Sequence, residues 1–537
     1  MLVNPFSTSE TILNFFWGER AFESNSQIDN GMLVDSSLVG RRIEVDGSIG
    51  TVRYQGEIDG KKGEWLGIEW DDEKRGKHSG DFNGRTYFTT TVAGSGSFIA
   101  ASKQFQEGRS VVEALQQKYL SSRPADSVVL LGGDTKIQVT TVGWEKIAGK
   151  QSKLAELAEI GLAGMNISHV ADSEEQRLRS MCPSVTDIDL SRNLFASWRD
   201  VARIVKQLPR LQSLRLSGNR MAVGSGIHDG AFQSIAQLTL MATLHSWEEL
   251  VSISGWFSTL EELHAGFNNM ELSPLTDLQG LNSLRLLNLE HNRISSWTDV
   301  KCLGLLPNLQ SLNLNTNRIP SIEQSNTNGQ QLFARLTTLN LSDNLIATWK
   351  DIHLLNSYPS LVDVRIKRNP ITAVKLPGHS FSMLAGRLRN VMVLNGSRMT
   401  DRERLDAELY YLSECARVKP ILTADEFDAL HPRFDELCDK HGAPEMAPAA
   451  LTSNILKNRL AAIQIVYKPA DKRIDKSLPI TMKLRALKSI ASRLLAIPNS
   501  TNLTTTLVSG ARTECLNDDL KELSFYGIAS GDQIIIE

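Results

Sequence analysis

One spelling recurs down the middle of this chain and limits what it can fold into. The pattern L-x-x-L-x-L-x-x-N reads as Val185, Ile188, Leu190, Asn193 and again as Leu211, Leu214, Leu216, Asn219. A worn copy has Ile235, Leu238, Leu240 and Thr243. Five more follow, ending in Asn268, Asn292, Asn317, Asn344 and Asn369. Successive positions in this column, counting Thr243, lie 26, 24, 25, 24, 25, 27 and 25 residues apart. The L-x-L pair points one way from a short strand, so its leucines share one face. An asparagine can satisfy backbone groups where the chain leaves that strand. No copy can bury its apolar face alone, so the copies must stack. Residues 157–162 read as the opening copy, and Leu388, Val391 and Val393 as the closing one.

A period in the mid-twenties with this spelling is the leucine-rich repeat, an α/β solenoid assigned to residues 151–400. Core leucines alternate with concave-face positions. Those positions are polar throughout, with a ladder of Asn288, Asn313 and Asn340 and a basic end at Arg365, Lys367 and Arg368. Concave solenoid faces are common binding surfaces, and the alternative is a solvated sheet face. Trp198, Trp297 and Trp349 each fall five residues after a repeat asparagine. The equal spacing favours packing under the convex side over an aromatic docking ladder.

At 537 residues the chain is too long for one core. Residues 1–36 read as a flexible N-terminal extension. Residues 37–107 alternate short apolar runs with glycines, which predicts a small all-β module. Residues 108–150 read as a connector, with a helix over 110–120 and a strand over 136–142. Residues 401–457 read as a helical cap and linker, with helices over 401–416 and 424–440 and the linker at 442–448. In 458–537 the pattern gives strands at 462–467 and 476–484, a helix at 485–495, and strands at 503–508 and 533–537. That is the order of a ubiquitin-like β-grasp domain. Its last residue, Glu537, is not preceded by a Gly-Gly pair, so conjugation through its own C-terminus is not expected.

The net charge of −3 supplies no overall positive field for nucleic acid or an anionic membrane. No apolar run reaches eighteen residues, and Glu10 interrupts the only signal-like stretch. Five scattered cysteines fit a reducing compartment, so the glycosylation triplets at Asn166 and Asn340 read as chance. Gly76-Lys77 is followed by His78, which fails the phosphate-loop pattern at its hydroxyl. No H-E-x-x-H or G-x-S-x-G occurs. His431, Cys438 and His441 lack a fourth ligand at metal spacing. The expectation is no enzyme, no cofactor and no metal.

The segment with binding chemistry is Gly76-Lys77-His78-Ser79-Gly80, set among Trp65, Tyr87, Phe88 and Phe98. Glycines allow close backbone approach, lysine supplies a charge and His78 a ring donor. Aromatic walls would accept a large side chain, and together these suit capture of a terminal carboxylate. Residue types alone leave a solvated glycine hairpin equally open. With Gly50-Thr51-Val52-Arg53-Tyr54, residues 65–70, Arg85-Thr86-Tyr87-Phe88 and Ser97-Phe98-Ile99, the segment resembles a CAP-Gly domain. That family binds C-terminal Glu-Glu-Tyr/Phe tails such as that of α-tubulin. The resemblance implies a groove of Trp65, Gly76, Lys77, His78, Ser79, Gly80, Phe88 and Phe98. The family signature is G-K-N-D-G, so His78 replaces the asparagine and Ser79 the aspartate. Ala100-Ala101 replaces the usual Arg-Pro, which removes one basic group.

The three modules in this order resemble the tubulin-folding cofactor E family. The resemblance implies a cytoplasmic, cytoskeleton-associated chaperone that binds the tail and body of α-tubulin. It would act with cofactors D and C in assembly and dissociation of the α/β-tubulin dimer, with no nucleic-acid or membrane partner. Asn288, Asn313, Asn340, Arg365 and Lys367 are then the expected client contacts. The rival is a microtubule-associated or proteasome-linked adaptor that binds tubulin tails without folding them.

Overall fold

The computed structural model describes residues 37–120, 154–224, 230–274, 278–327, 329–373, 378–444, 460–497, 503–509, 512–526, 528 and 530–537. The expected N-terminal extension, the strand at 136–142 and most of the 442–448 linker lie outside these. The described residues form two compact units, one within 1–413 and 425–442, the other within 414–424 and 443–537.

The first unit opens with an antiparallel sheet of β1 (Arg42–Val45), β2 (Ser48–Glu57), β3 (Glu64–Trp70) and β4 (Gly96–Ala100), in that order. Trp65 opposes Ala100, Leu66 opposes Ile99 and Gly67 opposes Phe98. Alternation therefore sends Leu66, Ile68 and Trp70 into a small core with Ile43, Val45 and Val52. It turns Trp65 and Phe98 to the opposite face. A two-residue hairpin at Asn83-Gly84, both at positive φ, joins Asp81–Phe82 to Arg85–Thr86.

The repeats form one sheet of eleven strands, parallel from Glu159–Gly161 to Val393–Leu394 and closed by an antiparallel strand at Ser397–Arg398. The second leucine of each copy lies in one column, running Ile160, Ile188, Leu214, Leu238, Leu263, Leu287, Leu312, Leu339, Val364 and Leu394. All of these are buried. The closing copy is thus Val391 and Leu394, three residues later than the reading of Leu388, Val391 and Val393. Val393 opposes Asp363 and is half-buried. With no further copy to pair with, the chain turns back as a hairpin. Leu388 and Val391 are buried as well, and they imitate the spelling one step early.

Each column asparagine ties two repeats together. Asn292 donates to Ala265 O (3.1 Å) of the preceding copy and Leu289 O (3.0 Å) of its own. Its Oδ1 accepts from the Asn268 and Met270 amides, both at 3.0 Å. Asn193, Asn219, Asn268, Asn317, Asn344 and Asn369 repeat the paired carbonyl bonds. Thr243 Oγ1 reaches one carbonyl, its own Leu240 O, and Asn268 Oδ1 of the next copy, both at 3.1 Å, while His245 (2.8 Å) and Trp198 complete a buried chain around it. The residue ahead of each column position has φ between 52° and 70°, yet Gly218 is the only glycine among those eight.

Four convex helices begin alike. Trp198, Trp247, Trp297 and Trp349 each follow a capping Ser197, Ser246, Ser296 or Thr348 whose hydroxyl accepts a first-turn amide. The first three indoles are buried in the core, and Trp349 packs against it. They are packing residues, and Trp247 belongs with them although the asparagine spacing does not flag it. Val111, Val112, Ala114 and Leu115, on the helix predicted over 110–120, are buried in this same core. At the far end Glu408, in helix Asp401–Val418, is 2% exposed and meets Arg433, Lys440 and His441. His431 instead faces Tyr411 and Arg387.

The second unit contains a five-stranded sheet ordered Lys472–Pro479, Leu460–Tyr467, Gln533–Ile536, Thr505–Ser509, Arg512–Cys515. The first and last strands in sequence pair in parallel at its centre. Helix Leu484–Leu495 buries Leu484, Leu487, Ala491 and Leu495. This is the expected β-grasp. Its second strand begins four residues before the expected 476, and Arg512–Cys515 was not foreseen.

Candidate peptide groove and its docking on the repeat array

The turn at residues 76–80 is held by backbone. The amides of Lys77 and His78 both donate to Gly96 O (2.7 and 3.1 Å), and Gly96 N donates to His78 O (2.8 Å). A Cβ on Gly76 would stand 1.9 Å from Gly94 O, and one on Gly80, at φ +108°, 1.9 Å from Phe88 O. Neither position admits a side chain. Ser79 Oγ accepts from Gly94 N (2.9 Å), so its hydroxyl fastens the neighbouring loop.

The pinned turn presents two groups. Lys77 is exposed and makes no ion pair among the described residues. His78 Nδ1 accepts from Gly80 N (3.0 Å), which leaves the ring proton on Nε2. Burial, then the charges of Lys61 and Lys77, hold the imidazole below its ordinary pKa against the opposing pull of Asp81.

Phe98 is the hub of the aromatic wall. His78 lies 4.9 Å from it, Phe88 5.3 Å, Tyr87 5.6 Å, Tyr54 6.3 Å and Phe82 6.4 Å between centroids. The edge-to-face arrangements suit ring quadrupoles. Phe88 is buried and supports the wall from behind, whereas Phe98 and Trp65 are half-exposed. The structure brings all eight expected groove residues into one neighbourhood. It adds Tyr54, Lys61 and Phe82. Tyr54 was quoted in the motif, but no spacing rule marks the other two.

The concave-face residues are differently placed. Asn288, Asn313 and Asn340 are 5, 2 and 9% exposed. Asn313 Nδ2 donates to Asn288 Oδ1 (2.9 Å), and Asn340 Oδ1 accepts from Ser342 N (3.1 Å). Arg365 is half-buried and lies 3.7 Å from Asp363, and Arg368 grips Asp343. Lys367 is exposed.

The β module is docked on the array. Arg220 Nε lies 3.2 Å from Asp71, Nη1 3.6 Å from buried Glu69, and Nη2 donates to Asp71 O (3.3 Å). Asn166 Nδ2 donates to Glu44 (2.6 Å) and Gln106 (2.8 Å). No described helix is long and apolar enough to cross a membrane.

Residues 39–104 match the CAP-Gly domain family. Over nearly its whole length the chain is 31% identical to "Tubulin-specific chaperone E" of Bos taurus, covering 93% of this chain and 98% of that one. It is 30% identical to "Tubulin-folding cofactor E" of Arabidopsis thaliana, covering 94% and 98%. The solved C-terminal ubiquitin-like domain of mouse tubulin-specific chaperone e is 29% identical, covering 14% of this chain and 84% of that one, with a TM-score of 0.14. The chain belongs to the tubulin-specific chaperone E family.

Proposed function

We propose that this chain is a tubulin-folding chaperone whose groove takes the acidic-aromatic C-terminal tail of α-tubulin and whose repeat array meets the tubulin body. It acts with cofactors D and C in assembling and dissociating the α/β dimer, in the cytoplasm and at the cytoskeleton. The observation that carries this reading is the unpaired Lys77 beside the His78 donor and the Phe98 wall, in a chain that matches its named relatives over more than nine-tenths of its length. A terminal carboxylate fits the Lys77 ammonium and the His78 Nε2–H, and the last side chain fits the aromatic wall. The reading asks only for binding. A chaperone alters its client by differential affinity for the client's states.

The test is to mix the full chain with purified tubulin heterodimer and size the products. A complex of this chain with α-tubulin, alone or with β-tubulin, is expected. Heterodimer and chain that migrate unchanged at micromolar concentration would overturn the reading, and an intact dimer bound only to its tail would favour the adaptor.

A further inference from the structure

The groove holds a second cation outside its glycine turn. Lys61, in the loop between β2 and β3, places its ammonium 4.3 Å from the Trp65 ring centroid, 4.2 Å from Phe82 and 5.8 Å from Phe98. Two aromatic faces hold this charge in place by cation–π attraction. Six cations of the module, Arg41, Arg42, Arg53, Arg75, Arg85 and Lys103, each pair with a carboxylate. Lys61, like Lys77, makes no ion pair among the described residues. Phe98 links the two, with the His78 ring 4.9 Å and the Lys61 ammonium 5.8 Å from its centroid. Ala100, opposite Trp65 across β3 and β4, contributes no charge.

We infer that Lys61 is a specificity-determining residue that selects an acidic side chain upstream of the ligand's last residue. This rests on the groove being a site for C-terminal tails. Lys77 and His78 take the chain-terminal carboxylate. Lys61 takes a side-chain carboxylate that crosses Trp65 and Phe82. An uncharged residue at that point leaves the ammonium over the rings with no counter-charge. The groove therefore reads two negative charges, and a neutral peptide with the same last residue binds less well.

The experiment measures binding of fluorescent peptides ending Glu-Glu-Tyr or Gln-Gln-Tyr to the full chain by anisotropy. Wild type should prefer the acidic peptide by about fivefold, the upper end for a solvated ion pair. Lys61→Met keeps the apolar stem against Trp65 and Phe82. It should lose that preference and bind the acidic peptide as wild type binds the glutamine one. Lys77→Ala, by contrast, should weaken both peptides and keep the preference. If Lys61→Met discriminates as wild type does while Lys77→Ala weakens both, the role of Lys61 is overturned and the groove stands. If wild type binds neither peptide, the groove reading falls and the Lys61 role with it.

Discussion

The groove and the concave face both carry cations and hydrogen-bonding side chains, but in opposite states. In the groove Lys61 and Lys77 are unpaired and the outward ring nitrogen of His78 is unclaimed by its turn. On the concave face the asparagines bond one another and the strand ends, Arg365 faces Asp363 and Arg368 grips Asp343, and only Lys367 among these residues is exposed with no ion pair among the described residues. A polar surface in sequence is thus two different things in space. Groups with spare hydrogen-bonding capacity can serve a ligand. Groups already satisfied serve the fold, and exposing them would cost their existing partners.

The comparison can be broken in several ways, from large to small. Leu314→Asp places an unpaired charge among leucines that are almost fully buried. Because repeats stabilise their neighbours, the array should unfold cooperatively. A wild-type melting curve would show that this column is not the core. Next, Lys77→Ala should weaken binding of an acidic-aromatic tail peptide by about 1.5–3 kcal/mol, or about ten- to a hundredfold. Calorimetry giving equal affinities would remove Lys77 from the site. Asn313→Ala should cost about 1–3 kcal/mol of stability, because it abandons Asn288 Oδ1 and the Asn315 amide. It should leave tubulin capture unchanged. Lost capture with the melting curve intact would make the ladder a client contact. Smallest is Arg365→Glu with Lys367→Glu. A solvated charge such as Lys367 is worth about 0.2–1 kcal/mol and Arg365 is half-buried beside Asp363, so the pair should slow capture of α-tubulin a fewfold, most at low salt. Stopped-flow rates unchanged in a folded double variant would mean that the body docks elsewhere.

Acid separates the two regions further. Burial holds His245, beside Thr243, at a pKa of about 4. Its folded value lies below the ordinary 6.5, so its contribution is intact above pH ~6.5 and is lost as pH falls toward 4. The array should therefore melt progressively lower across that window. Thermal scans with no drift between pH 7 and 4.5 would contradict the buried, neutral assignment.

Much of this architecture was legible because a repeat announces itself several times over. The leucine column and the asparagine clamps follow from one spelling. The closing copy was misread because register is fixed by a neighbour, and the last copy has one neighbour only. Arg512–Cys515 was missed because a short edge strand is defined by its pairing with Thr505–Ser509, not by its own pattern. In the groove, the glycine turn and Phe98 were readable from motif. Lys61 was not, since its role comes from rings at positions 65 and 82 that only the fold brings beneath it. The concave asparagines lie on the expected face, and their hydrogen bonds to one another and to the strand ends were not readable from the spacing. Sequence periodicity tells which face a residue occupies, but it is silent on whether that residue's hydrogen bonds are already spoken for.

The contacts of Arg220 and Asn166 make the β module and the array one body. For a partner that touches both, the second contact is an intramolecular event, governed by effective concentration in place of bulk concentration. Two weak sites held at fixed spacing then act as one strong one, with no new contact formed. Separating the modules by changing both residues should leave the affinity for an isolated tail peptide untouched and still reduce retention of the whole client. For such a partner the geometry of the joint, as much as the chemistry of either surface, would set how long it stays.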